Sequence, residues 1–271
     1  MRTFSQKARK EGKRIGLVPT MGALHAGHLS LMDYTRSECD LLVASIFVNP
    51  LQFDREDDLA GYPRTFEKDL ELCTAHGVDV VFAPRPENMY PDGFQTSVSV
   101  GDMTKGLCGA GRTGHFQGVT TVVMKLFNTV LSDIAVFGEK DFQQLKVIQR
   151  MVRDLDMLVE VVGRPTVREN DGLALSSRNK HLSPEERKKA LCLSRALDRA
   201  CSLAAEGVVD SPTLIAKASE EIQKTNGAKM EYLEIVDSDS LKPLDKITKP
   251  ARMCLAVWLG ETRLIDNASL N

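Results

Sequence analysis

Apolar positions in the first 163 residues fall into two kinds of run. Short unbroken ones lie at 14–18, 41–48, 78–82, 134–137 and 159–163. They do not alternate in polarity, which is the pattern of strands covered on both faces. Between them apolar residues recur at helical spacing. Phe66, Leu70 and Cys73 share one face of 65–76, and Gly77 is a natural stop. Val119, Val122, Val123, Leu126, Phe127 and Val130 form the stripe of 118–131, and Phe142, Leu145, Ile148, Val152 and Leu155 that of 141–155. A helix is also expected over 28–39, and an amphipathic one over 2–13. This β-α-β-α order predicts an α/β fold built on a doubly wound parallel sheet. Ligands of such sheets sit beyond the carboxyl ends of the strands.

The pattern changes near residue 165. Ser183-Pro184-Glu185-Glu186 reads as a helix start: Ser183 caps, Pro184 enters the first turn and Glu186 closes a capping box. That helix is expected to run to about 205, with Gly207 ending it. Ser211-Pro212 opens another that ends near Asn226-Gly227, and strand-like runs follow at 230–236, 253–259 and 263–265. The expectation is two domains, 1–167 with the parallel sheet and 168–271 as a smaller α+β C-terminal lid. Two ordinary domains also suit a length of 271 residues.

Composition narrows the class. A hydrophobic content of 42% and a charged content of 27% are those of a globular protein. A formal net charge of −2 offers no electrostatic reason to expect nucleic acid as a partner. No apolar stretch approaches a membrane span, and the first residues lack a signal-peptide core. The six cysteines are scattered, with no C-x-x-C and no histidine at zinc spacing, so no metal site is expected and reduced thiols in the cytoplasm are.

Candidate chemistry clusters where strands end. After the first strand comes Met21-Gly22-Ala23-Leu24-His25-Ala26-Gly27-His28. The first amides of a helix lack intrahelical partners, Gly27 lets a phosphate come close, and two imidazoles can donate hydrogen bonds. H-x-G-H at a strand-to-helix turn is the signature of attack on the α-phosphorus of a nucleotide. His28, at the helix start, is expected to face the departing phosphates. After the second strand, Asn49 and Gln52 are neutral amides suited to a hydroxylated acid, or equally plain turn residues. After the fourth, Gly138-Glu139-Lys140-Asp141 opens a helix. Lys140 can neutralise phosphate, and Asp141 can accept from ribose or simply cap the helix. Gln144 can project toward the same cleft as Gln52. At the domain junction Leu175-Ser176-Ser177-Arg178 offers two hydroxyls and a bidentate arginine for a triphosphate, or else a solvated turn. Arg112 and His115, in a glycine-rich stretch, can hold a carboxylate or phosphate.

Taken together these residues resemble the pantoate–β-alanine ligase family, within the H-x-G-H nucleotidyltransferases. Seven motifs appear in order: PTMGALHAGH at 19–28, SIFVNPLQF at 45–53, YPRT at 62–65, GHFQGV at 114–119, FGEKDFQQL at 137–145, DGLALSSRN at 171–179 and RLIDN at 263–267. The resemblance implies a Rossmann-like N-terminal domain and a hinged smaller one, usually as a homodimer. It implies ATP bound by the 21–28, 138–141 and 175–178 segments, with His28 the proton donor and His25, Lys140 and Arg178 beside it in catalysis. Val167 matches the position whose backbone meets adenine. Gln52 and Gln144 match the pair that holds pantoate, and Gln52 also faces β-alanine. Magnesium is expected on the phosphates, since no carboxylate cage is evident. The implied reaction adenylates pantoate and passes it to β-alanine, releasing pyrophosphate and AMP. Many members begin with a short strand ahead of the first helix, whereas this sequence is expected to start inside that helix; Leu175 stands where some members have methionine, and Thr113 where some have proline. Two rivals remain at this point: another H-x-G-H nucleotidyltransferase that leaves the nucleotide on its product, and an RNA-binding relative of class I tRNA synthetases.

Overall fold

Ile15, Leu17 and Val18 are inaccessible to solvent because their strand runs down the middle of a five-stranded parallel sheet. The computed structural model describes residues 1–248 and 250–270. In chain order the elements are α1 (Arg2–Lys10), β1 (Ile15–Thr20), α2 (Ala26–Ser37), β2 (Leu41–Ile46), α3 (Glu56–Ala60), α4 (Phe66–Ala75), β3 (Val80–Phe82) and α5 (Pro86–Met89). They continue as α6 (Cys108–Gly111), α7 (His115–Val130), β4 (Ile134–Gly138), α8 (Phe142–Asp154), β5 (Glu160–Arg164), α9 (Pro184–Lys189), α10 (Leu191–Ala205), α11 (Ser211–Gln223), β6 (Ala228–Asp237), β7 (Ala251–Leu259) and β8 (Thr262–Leu270).

The parallel sheet has the order β3-β2-β1-β4-β5. Successive residues of a strand face opposite sides, so an unbroken apolar run feeds two cores at once. Leu17, Val43, Ala135 and Phe137 pack with α1, α7 and α8 on one side. Val18, Leu42, Ala44, Ile134 and Val136 pack with α2 and α4 on the other. The edge strands β3 and β5 are only half covered, in keeping with Asp79 just before β3 and with Glu160 and Arg164 in β5. The chain reverses its winding between β1 and β4. At such a switch point the loops leaving the two strands splay apart and open a crevice.

A second, antiparallel sheet, β6-β7-β8, packs with α10 and α11 around a core of its own. Its strands are longer than their apolar runs suggested. The expected third strand, 263–265, extends to Leu270 through Asp266 and Asn267, which are buried but fully engaged by neighbours. Polar residues in a strand read as its end unless their partners are known.

Several boundaries moved. The helix expected from 28 begins at Ala26, with His25 as its cap. The helix expected from 118 begins at His115, and the one expected over 2–13 stops at Lys10. The Ser183 capping box forms as read, but the helix is interrupted at Ala190 between α9 and α10. α11 opens at Ser211 as expected, and its cap is Asp210, whose carboxylate accepts from both the amide and the hydroxyl of Thr213.

Candidate active site

β1 ends at Thr20, whose hydroxyl donates to the Ser45 carbonyl and accepts from the Gly22 amide. The chain then turns through Ala23 at φ +50°, a left-handed conformation that costs an L-residue about 1–2 kcal/mol. The buried carboxylate of Asp69 on α4 holds the turn by accepting from the amides of Ala23 (3.0 Å) and Leu24 (2.9 Å). His25 follows in extended geometry, and its Nδ1 accepts from the Gly27 amide. A side chain at Gly27 would press on that ring at 3.0 Å, so glycine is required for the close approach. The His25 and His28 rings lie 4.1 Å apart between centroids. Nδ1 of His28 is buried without a hydrogen-bond partner among the described residues.

Burial lowers both rings' pKa values, His25 to about 4 with Lys140 adding to the effect, and His28 to about 3 with His25 adding. Both are neutral at pH 7. The start of α2 thus brings two neutral imidazoles to the edge of a cavity.

That cavity, about 240 Å³, lies at the switch point. Met21, His25, Gly27 and His28 line it from β1, Asn49 and Gln52 from β2, and Gly138, Lys140, Asp141 and Gln144 from β4 and α8. Arg112 and His115 reach it from the start of α7, and Val167, Leu175, Ser176, Ser177 and Arg178 from the segment after β5. A larger cavity of about 620 Å³ between the two sheets shares Arg112, His115, Lys140, Asp141, Gln144, Ser176 and Arg178 with it. The remaining candidates do not line it. Gly22, Ala23 and Leu24 are buried beneath the turn, Ala26 is in the first turn of α2, and the Glu139 carboxylate pairs with Arg252 at 2.7 Å.

Lys140 has no ion-pair partner among the described residues. Asp141 occupies the cap position of α8 yet makes no capping bond, so the plain-cap reading of this residue is not what forms. A side chain added at Gly138 would meet no protein atom within 4 Å. Ser176 caps the short helix Ser177–His181 by accepting from the Arg178 amide. The Arg178 guanidinium donates to both oxygens of Asp58, at 2.9 and 3.2 Å. The backbone of 167–175 doubles back on itself, with the Leu175 amide donating to the Val167 carbonyl.

The Gln52 carbonyl accepts from the His115 ring at 2.7 Å and from Arg112 at 3.3 Å. Nε2 of His115 meets Nη1 of Arg112, so the proton of this neutral ring sits on Nδ1. Burial, with help from Arg112, lowers its pKa to about 4. Arg112 also donates to Asp54 at 3.3 Å. Among the described residues no group of three or more His, Cys, Asp or Glu could hold a metal ion.

A family profile described as pantoate-beta-alanine ligase matches residues 1–269. The chain belongs to the pantoate–β-alanine ligase family. The pantothenate synthetase of a Sulfurihydrogenibium species is 55% identical over 269 residues, spanning 98% of this chain and 96% of the relative. That of Moorella thermoacetica is 52% identical over 270 residues, spanning 100% and 95%. The crystal structure of the Thermus thermophilus pantothenate synthetase superposes with a TM-score of 0.93 at 49% identity, covering 97% of this chain and 96% of that one. A Francisella tularensis pantoate-beta-alanine ligase complexed with β-γ ATP and β-alanine superposes with a TM-score of 0.80 at 34% identity, covering 98% and 94%. As a family member the chain is an enzyme, a ligase of pantothenate biosynthesis.

Two supports of this ligase cleft escaped the sequence reading. Asp69 stands four positions after Thr65, on the same helix face, and Thr65 donates to it. That spacing signals a local pair, not a carboxylate bonded to a loop more than forty residues away. Asn267 was quoted within RLIDN, but without a role. Its amide donates to the carbonyls of Glu139 and Lys140, both at 2.9 Å, so the antiparallel sheet pins the turn that carries Lys140. A buried polar pair in a strand, Asp266-Asn267, was the available signal.

Proposed function

We propose that this cleft joins the carboxyl group of pantoate to the amine of β-alanine, using ATP and passing through a pantoyl-adenylate intermediate. The observation that carries the reading is one cavity lined by both the His25–His28 pair and the Ser176-Ser177-Arg178 segment, with Gln52 and Gln144 in the same wall. A carboxylate resists attack by an amine because its oxygen is a poor leaving group. In the first step a pantoate oxygen attacks the α-phosphorus of ATP, and the bond from that phosphorus to the bridging oxygen breaks to release pyrophosphate. In the second the neutral amine of β-alanine attacks the acyl carbon, the bond to the AMP oxygen breaks, and the amine's extra proton passes to solvent.

The chain's own groups supply position and charge. Gln52 and Gln144 orient pantoate. Lys140 and Arg178 neutralise the triphosphate, with the hydroxyls of Ser176 and Ser177 beside them. Arg178 must then share or exchange its Asp58 partner. Asp141 is free to accept from ribose, Gly138 leaves room for the nucleotide, and the backbone near Val167 meets the base. His28, neutral through burial, donates a hydrogen bond to the leaving phosphates; their negative charge raises its pKa and draws it toward the proton-donor role. Magnesium bound to the phosphates would withdraw charge from the leaving group; the nearby carboxylates form no cage, so its protein contacts would be few and water-mediated. Arg112 and His115 hold the Gln52 backbone and border the site of the amine substrate. Exclusion of water protects the mixed anhydride.

The reading also divides the chain at 167/168 and lets the second domain close over bound ATP. It includes pairing with a second copy; Leu155 and the 92% exposed Leu158, just before edge strand β5, are among the exposed apolar side chains. It places the enzyme in the cytoplasm; no helix among the described residues is long and apolar enough to cross a membrane.

Isotope exchange tests the first half-reaction. With pantoate present and β-alanine omitted, labelled pyrophosphate is expected to enter ATP; without pantoate it is not. No exchange in an enzyme that forms pantothenate from all three substrates would rule out a free adenylate step.

A further inference from the structure

Asn49 is 1% exposed, and all four hydrogen-bonding positions of its side chain are taken by protein groups. Its Nδ2 donates to Oε1 of Gln52 at 3.0 Å and to the Gly118 carbonyl at 3.1 Å. Its Oδ1 accepts from the Tyr90 hydroxyl at 2.7 Å and from the Leu51 amide at 3.4 Å. The Gly118 carbonyl can only accept and the Leu51 amide can only donate, so the amide cannot be turned over without two mismatches. The orientation of Asn49 decides that of Gln52. With Oε1 of Gln52 held by Asn49, its Nε2 is turned to the cavity side, 3.1 Å from the Met21 sulfur. Sulfur is a weak acceptor that an incoming oxygen displaces easily. Gln52 therefore offers the cavity a donor. Turned over, it would offer a carbonyl, which repels a carboxylate.

We propose that Tyr90 is a positioning residue for substrate-acid binding: by bonding Asn49, its hydroxyl stiffens the Asn49–Gln52 relay that holds the Gln52 donor edge toward the acid. This rests on the reading that Gln52 holds pantoate. Tyr90 is absent from the cavity wall, so it acts only through the relay. Its ring is held separately, 6.2 Å from Phe47 and 5.2 Å from Phe94 between centroids, with the Lys125 ammonium 5.9 Å from its centre. The hydroxyl supplies the short bond to Oδ1. Without it Oδ1 keeps only the long contact to Leu51, and the Asn49 and Gln52 side chains are held less firmly in the orientation that Gly118 and Leu51 set.

Tyr90→Phe removes the hydroxyl and keeps the ring. Steady-state kinetics with each substrate varied in turn are expected to show KM for pantoate raised about 5–15-fold, the factor for one buried hydrogen bond. KM for ATP and the melting temperature stay near wild type. Gln52→Ala is the control for the underlying reading: if it leaves pantoate KM unchanged, Gln52 is not the acid's ligand and that reading fails. If Gln52→Ala raises pantoate KM while Tyr90→Phe does not, the relay alone is overturned. The double variant is expected to be no worse than Gln52→Ala. Additive losses, equal losses for ATP and pantoate, or failure of Tyr90→Phe to fold would each show a general structural role and overturn the proposal.

Discussion

His28 enters its cleft as a neutral ring, because burial and the neighbouring His25 oppose a second positive charge. In that state one ring nitrogen can donate and the other accept, and Nδ1 is buried without a partner among the described residues. His28→Ala is expected to lower kcat by roughly 10²–10⁴-fold, the span for a positioned oxyanion or proton-transfer group. Initial rates at saturating substrates, on a variant whose circular dichroism matches wild type, check it; near-normal turnover would take His28 out of the chemistry. At this scale the H-x-G-H residues were legible because backbone amides, glycine and imidazoles stand next to each other in the chain. Asp69 and Tyr90 were not. Each acts on residues about forty positions away, and no local pattern marks that.

Between elements, the closest approach near the cleft is α7 against the short turn Pro50–Gln52. A side chain at Gly118 would lie 2.2 Å from the Leu51 carbonyl oxygen and 2.6 Å from the Gln52 amide nitrogen. Backbone meets backbone there, which is how the Gly118 carbonyl comes to hold Asn49. Gly118→Ala must push α7 away from the turn. It is expected to cost about 1–3 kcal/mol of stability and to raise KM for pantoate more than KM for ATP. Urea unfolding and kinetics measure both; an unfolding midpoint and a pantoate KM like wild type would mean that α7 can retreat freely. The helical stripe of 118–131 was plain in the sequence, since packing onto a sheet demands it. The start of α7 at His115 was not, because Gly114 at its cap makes no side-chain bond and carries no capping signal.

Across the whole molecule, three histidines are folded in neutral form: His25 and His115 with pKa values near 4, and His28 near 3. In the unfolded chain each takes up a proton near pH 6.5. The unfolded state therefore binds more protons below that pH, and stability is lost as pH falls from about 6.5 toward 4, with each histidine contributing up to about 1.4 kcal/mol per pH unit. Urea unfolding at pH 7.5, 6 and 5 is expected to show a stepwise fall. Constant stability over that window would mean that these rings accept protons in the folded cleft. The same scale ties the antiparallel sheet to the segment after β5 and to the turn after β4. Arg168 grips the buried carboxylate of Asp266 at 2.6 and 2.9 Å, Arg252 pairs with Glu139, and Asn267 caps the Lys140 turn.

The sequence alone determined the layers, the strand-to-helix turns that carry the H-x-G-H and Lys140 residues, and the family. Each of these follows from short-range rules: burial periodicity, the open amides of a helix start, and motifs read in order. Only the tertiary structure decided which turns share a cavity, which amide of Asn49 faces Gln52, and that β8 continues through two buried polar residues. Those outcomes depend on partners distant in the chain, and a polar atom's role is set by what it meets after folding.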